Sequence, residues 1–252
     1  MIPIRDDNPT RRRPILTIAL IVLNVVVFVV LLSKPDPQSI PVSEFSDTRS
    51  GMVCRLGLVP DRFVNDRIEQ SELIYRVCAQ ENRQTARATT LVTHQFVHAD
   101  WLHLAGNLLF LWVFGNNVED RLGRIRFLPF VLLCGIIAAL TQVLADPGSG
   151  SALIGASGAI SGILGAYLVL FPRARVLTLV TIVPLRLPAW VVLAAYMALQ
   201  FLLVSQTTVG TEGGVAYWAH IGGFIAGALL IRPFLVGRPP ARPDLPLHLE
   251  IR

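Results

Sequence analysis

Charge is scarce in this chain: of 252 residues only 15% are Asp, Glu, Lys or Arg, while 53% are apolar and the mean hydropathy is +0.57. That balance excludes an ordinary soluble domain and describes a polytopic membrane protein. No small-x-small cleavage site closely follows the first apolar run, Ile15–Leu32, and the run is longer than the core of a secretory signal, so it reads as a retained signal anchor. Organelle targeting features are also lacking, which with the compact helical layout favours a bacterial plasma membrane. Carboxylates are missing from the depth where other polar groups gather, because Glu119, Asp120, Asp146 and Glu212 all fall at segment ends or in loops. A third, acidic partner for a serine and a histidine is therefore not on offer.

What is there is a series of membrane-length apolar runs: Ile15–Leu32, 102–118, 127–144, 156–171, 187–204 and 218–231, most near the ~20 residues that span hydrocarbon. They predict an all-α polytopic membrane protein, a bundle of six transmembrane helices, two of them short. Arg11, Arg12 and Arg13 precede the first helix, and Arg121, Arg124 and Arg126 follow the second. Arg173, Arg175 and Arg186 separate the fourth from the fifth, and Arg232 and Arg238 follow the sixth. By the positive-inside rule both termini are cytoplasmic and the connections around Gly150 and Gly210 face outward. This asymmetry accounts for the net charge of +5, so no nucleic-acid partner is needed; the partner in view is the bilayer. The chain divides into a cytoplasmic N-terminal segment, 1–14, a membrane domain, 15–235, and a flexible proline-rich cytoplasmic tail, 236–252. The outer loop of the membrane domain, 33–100, is expected to hold short interfacial helices.

Nucleophilic and ionisable side chains are expensive in a bilayer, so those present are a functional-site hypothesis. Ser157, within Gly155-Ala156-Ser157-Gly158, opens the fourth run, and His220 opens the sixth. Both runs go from outside to inside, as does the second, which starts with His103 and Asn107. Four polar groups thus converge on one outer depth. From Ser157 to Pro172 the fourth helix rises only about 22 Å, against a hydrocarbon core of ~30 Å. The serine therefore lies below the outer interface, and the irregular stretch 146–151 beside it predicts an outward-open aqueous pocket. Histidine is the usual base for a serine hydroxyl, so Ser157 and His220 form the candidate catalytic dyad. Asn107, His103 and the Ser157 N–H at a helix start are the candidate donors to a developing oxyanion.

Gly155-Ala156-Ser157-Gly158, His103-Leu-Ala-Gly-Asn107, Ala219-His220-Ile-Gly-Gly223 followed by Gly227, and Val118-Glu119-Asp120-Arg121-Leu122-Gly123 together resemble the rhomboid intramembrane serine proteases, in order as well as content. The resemblance covers roughly 91–230. It implies a serine endopeptidase acting on single-span membrane proteins in or near their transmembrane segment, without cofactor or metal. Ser157 is then the nucleophile, His220 the base, and His103 with Asn107 the oxyanion support. It also implies that the fifth helix, 187–204, and the loop above it, 205–217, gate entry. Two departures stand out: Ser161 occupies the place, one turn after the nucleophile, where some relatives carry a tyrosine that stacks on the base. The Trp-Arg pair often found in the first outer loop is absent.

Four other readings compete. Gly158, Ser161, Gly162 and Gly165, like Gly223 and Gly227, are also what close helix packing uses. His94, His98 and His103 raise a zinc-dependent hydrolase, since imidazoles are common zinc ligands. A non-catalytic relative would be a membrane binding module, but would be expected to lack Ser157 or His220. A transporter fits less well, because the polar groups share one depth instead of marking a path. Glu119 and Arg121 read as structural. Cys54 and Cys78 share the outer loop, where a disulfide is permitted, and Cys134 lies inside the third helix. Substrate identity and oligomeric state are not encoded in any motif.

Overall fold

A computed structural model describes residues 1–35, 48–64, 78, 85–206 and 216–238, the last two residues of 85–206 by backbone alone. In chain order the elements are strand β1 (Ile2–Asp6), helix α1 (Ile15–Leu32) and the short helices α2 (Arg49–Leu56), α3 (Pro60–Val64) and α4 (Arg87–Thr93). Helix α5 (Trp101–Phe110) runs through a π-turn at Leu111–Gly115 into α6 (Asn116–Leu122). Then come α7 (Arg124–Ala145), α8 (Ser157–Leu170), the hairpin β2 (Arg175–Val180) and β3 (Val183–Pro188), α9 (Ala189–Gln206) and α10 (Tyr217–Leu235). The chain is mostly helical; among the described residues α1, α7 and α10 are the three helices long and apolar enough to cross a membrane, while α8 and α9 are shorter apolar helices.

The apolar runs fold as helices that sort their faces. In α1 the buried residues Thr17, Leu20, Asn24, Phe28 and Leu31 recur every three or four positions, the spacing of one helical face. On the other face Ile18, Val22, Val26, Val29 and Val30 stay 43–53% exposed, a surface that suits lipid and not water. Helix α8 has no outer face: every residue from Gly158 to Tyr167 is buried. It is the axis around which α7 and α10 pack, and its small residues allow that. A Cβ added at Gly165 would sit 2.0 Å from the Phe224 carbonyl oxygen, so the two backbones already touch.

The expectation of an all-α chain needs correction. The 1–14 segment and the arginine-bearing connection after α8 form an antiparallel sheet in the order β1-β2-β3, with Ile2 opposite Leu179 and Val176 opposite Leu187. Alternation with β-branched residues drives it: Val176 and Thr178 point inward and are fully buried. The signal was faint because the tight turn, Thr181-Ile182, carries no Gly or Asn, and Thr181 adopts a positive φ of 57°, rare for a β-branched residue. The second helical path also runs past 118 to Leu122, because Glu119 is not a charged end but a buried cap. Its carboxylate accepts from the backbone N–H of Leu16 (3.0 Å) and Thr17 (2.7 Å) and from the Thr17 hydroxyl (2.8 Å).

The described part of 33–100 contains short helices as expected, and Cys54 and Cys78 are joined in a disulfide. Residues 239–252 of the tail, for which flexibility was the expectation, 207–215 of the expected gating loop, and 36–47, 65–77 and 79–84 of the outer loop lie outside the described residues.

At the far end of α8 from Ser157, Asp6 accepts hydrogen bonds from the Tyr167 hydroxyl and the Asn117 amide, each at 2.6 Å, which pins β1 to the bundle. Burial pushes the Asp6 carboxyl up from 3.8 to about 6, the Tyr167 bond only partly offsetting it. A raised folded value means that this group's stabilising contribution is complete below about pH 4 and is lost as pH rises through about 6. Asp6→Asn keeps the oxygen acceptor and removes the ionisation. Thermal unfolding in detergent should find variant and parent alike near pH 4 and the variant more stable by about 1–2 kcal/mol near pH 7.5. A difference that does not change with pH would count against it.

Candidate active site

Ser157 is the first residue of α8, and the chain reaches it through a stretch held by its neighbours. Leu153 exchanges two backbone hydrogen bonds with Leu58 (3.0 and 2.7 Å), and the Gly155 N–H donates to the His94 carbonyl (2.9 Å). Gly155 takes a φ of +112°, a conformation that L side chains rarely adopt. The same residue is needed for space: a Cβ there would lie 2.6 Å from His103 Nε2 and 3.7 Å from Asn107 Nδ2. The His-x-x-x-Asn pair therefore packs directly against the chain two residues before Ser157. Asp100 caps the helix that carries the pair, accepting from the His103 N–H at 2.8 Å.

His220 sits in the first turn of α10, buried, with Nε2 2.7 Å from Ser157 Oγ. The other ring nitrogen, Nδ1, lies 2.8 Å from Gln200 Oε1 of α9. Two aromatic rings flank it: Tyr196 with centroids 6.4 Å apart and tilted by 35°, and Tyr217 at 6.5 Å and nearly edge-on. Ser161, which occupies the expected stacking position, instead shares a 2.8 Å hydrogen bond with the Tyr196 hydroxyl. The bracing aromatic thus comes from α9 rather than from α8.

Ser157, His220, His103 and Asn107 all line one cavity of about 660 Å³, whose walls are otherwise mainly apolar, among them Phe110, Ile160 and Leu164. Asn107 is only 7% exposed, yet its Nδ2 has no hydrogen-bond partner among the described residues. A buried unpaired donor is costly, so one facing a cavity beside a hydroxyl suits an oxygen that arrives with a ligand. The other two histidines go elsewhere: His94 directs Nδ1 to the Thr90 carbonyl (2.7 Å), and His98 packs edge-on to His103 with centroids 5.0 Å apart. Among the described residues no three His, Cys, Asp or Glu side chains gather as metal ligands.

The sequence reading brought together the four residues that line the cavity but missed Gln200 and Tyr196. A signal existed: two polar residues four apart, on one face of an otherwise apolar run.

Comparison with known proteins places this geometry in company. The family model for the Rhomboid domain matches residues 85–236, more than half of the chain. Rhomboid protein 1, mitochondrial, of Saccharomyces cerevisiae is 33% identical over 147 residues, 56% of this chain and 40% of the yeast protein. RHOMBOID-like protein 6, mitochondrial, of Arabidopsis thaliana is 27% identical over 218 residues, 85% of this chain and 67% of its own length. Rhomboid protease GluP of Bacillus subtilis is 32% identical over 172 residues, 68% of this chain and 32% of its own. The chain thus spans less than half the length of the yeast and Bacillus relatives that it matches.

Proposed function

The chain belongs to the rhomboid family, and from that membership together with the site geometry we propose that it is an intramembrane serine endopeptidase acting on single-span membrane proteins in or near their transmembrane segment. The observation that carries the reading is the 2.7 Å contact between Ser157 Oγ and His220 Nε2 inside an otherwise apolar cavity. His220 takes the hydroxyl proton as Oγ attacks the scissile carbonyl carbon, and the carbonyl π electrons move onto its oxygen. Asn107 Nδ2, His103 and the Ser157 N–H at the start of α8 stabilise that oxyanion. The tetrahedral species collapses, His220 gives its proton to the leaving amine, and water, deprotonated by the same imidazole, releases the acyl group.

The membrane frame belongs to the same proposal. Six spans would be supplied by α1, the path from α5 to α6, α7, α8, α9 and α10, within a membrane domain at 15–235. Both termini would be cytoplasmic and Ser157 would face outward, in a bacterial plasma membrane. A disulfide between Cys54 and Cys78 suits an oxidising outer side.

The test is cleavage of a reporter with one transmembrane helix by the chain reconstituted in vesicles, with and without exhaustive chelation, and mapping of the peptide labelled by a fluorophosphonate. Chelator-indifferent cleavage with the label on Ser157 supports the reading. Cleavage that chelation abolishes would move it to a zinc-dependent hydrolase, and no cleavage of several reporters to a binding module. Within this mechanism Asn107→Ala is expected to lower kcat by about 10²–10³-fold with little change in KM, because the donor acts on charge that exists only in the transition state. A raised KM at unchanged kcat would place Asn107 in ground-state binding instead.

A further inference from the structure

We propose that Gln200 is the positioning residue for the base: its side-chain carbonyl accepts the Nδ1–H of His220 and so holds the imidazole in the tautomer able to receive the Ser157 proton. This rests on the serine-protease reading above and supplies the third member that no carboxylate among the described residues provides.

A neutral imidazole has one N–H and one lone pair. With Gln200 Oε1 at 2.8 Å the hydrogen belongs on Nδ1, which leaves the Nε2 lone pair facing Ser157 Oγ at 2.7 Å. The opposite tautomer would put a proton on Nε2 and give the serine proton nowhere to go. Once Nε2 is protonated, the amide dipole also stabilises the imidazolium at its other end. An amide does this without placing a formal charge in the bilayer, where a carboxylate would be expensive.

The helix around Gln200 argues that the contact is built. Gln200 is 5% exposed, while Leu199, Phe201 and Leu202 beside it are 49–54% exposed. Tyr196, one turn earlier, bonds Ser161 of α8, so the polar edge of α9 faces both helices that carry the dyad. Because the acceptor rides on a helix of its own, a shift of about 1 Å in the seat of α9 would break the bond and release the ring.

Polar residues also serve as plain connectors between membrane helices, so the test needs a readout that mere connection would not move. We would reconstitute Gln200→Met, which keeps length without an acceptor, Gln200→Glu, and Val26→Ala on the exposed face of α1, and record kcat, KM and the pH profile of reporter cleavage. Gln200→Met should lower kcat by about 10–100-fold at KM within about twofold, the rate equivalent of one charge-assisted hydrogen bond. Gln200→Glu should stay more active than Gln200→Met and displace the acid limb of the profile upward, because a carboxylate there holds the proton on the ring. Val26→Ala should match the parent. Wild-type kcat in folded Gln200→Met, while Ser157→Ala is inactive, overturns the assignment and leaves the dyad standing. So do equal losses in Gln200→Met and Gln200→Glu with an unmoved profile; if Gln200→Met does not fold, an acid limb in Gln200→Glu that matches the parent's still overturns it. Cleavage that survives both Ser157→Ala and Gln200→Met takes down the protease site itself.

Discussion

Ser157→Ala and His220→Ala, each reconstituted at equal folded concentration, are expected to lower cleavage of a single-span reporter by about 10⁴-fold or more, and the double variant is expected to be no worse than either. The reason is that in the proposed mechanism the two side chains share one proton. Oγ and Nε2 are 2.7 Å apart, so the hydroxyl becomes a nucleophile only as the ring takes its hydrogen, and removing either partner removes the same step. What survives would come from the groups that the variants leave intact, the oxyanion donors and the positioning of the substrate. The experiment has a sharp contrary result. If each single variant costs only about tenfold and the losses multiply in the double, the two side chains act independently, and the contact between them is a helix-bridging bond rather than a catalytic one.

The gathering of these polar side chains was largely legible in the chain alone, and the reason is energetic. A bilayer penalises polar side chains so strongly that Ser157, His220, His103 and Asn107 could be picked out by rarity, and a topology drawn only from arginines put them at one depth. They do line one cavity. Gln200 and Tyr196 obey the same rule and were still overlooked, because they sit in the middle of an apolar run where no motif marks them. Their meaning depends on which face of α9 meets α8 and α10, and that is a tertiary fact. The sheet was missed for a different reason. Its strands are short, β1 pairs with β2 across about two thirds of the chain, and nothing local in Ile2–Asp6 announces a partner at Leu179. Glu119 read as structural from its place at the end of the second run, and it is, buried at 2% exposure as the acceptor for the start of α1; the partner it ties was the part that needed the fold.

The largest effect on folding is expected from a single methyl group. Gly227→Ala adds a Cβ 1.8 Å from the Gly162 carbonyl oxygen, a backbone atom of α8 that no rotamer can move aside. Helix propensity pulls the other way, since alanine is favoured over glycine by about 1 kcal/mol within a helix. The clash wins: at 1.8 Å the two helices must separate by more than an ångström. The seam cannot open locally, because Gly165 against Phe224 O at 2.0 Å and Gly223 against Gly158 O at 2.1 Å are packed as tightly. Overpacking of this kind costs upwards of about 3 kcal/mol once backbone has to shift. Gly227→Ala should therefore unfold at a lower temperature than the parent or fail to accumulate. Gly106→Ala, where nothing lies within 4 Å of the added Cβ, should fold at least as stably as the parent. Gly162, the residue that Gly227 touches, is one turn and a residue along α8 from Ser157, and Gly223 on the same face of α10 is one turn from His220. Prising the seam apart there moves nucleophile from base, so any Gly227→Ala protein that does fold should also show slower cleavage. A variant with parental unfolding temperature and parental cleavage would mean that the two helices have slack where the distances leave none.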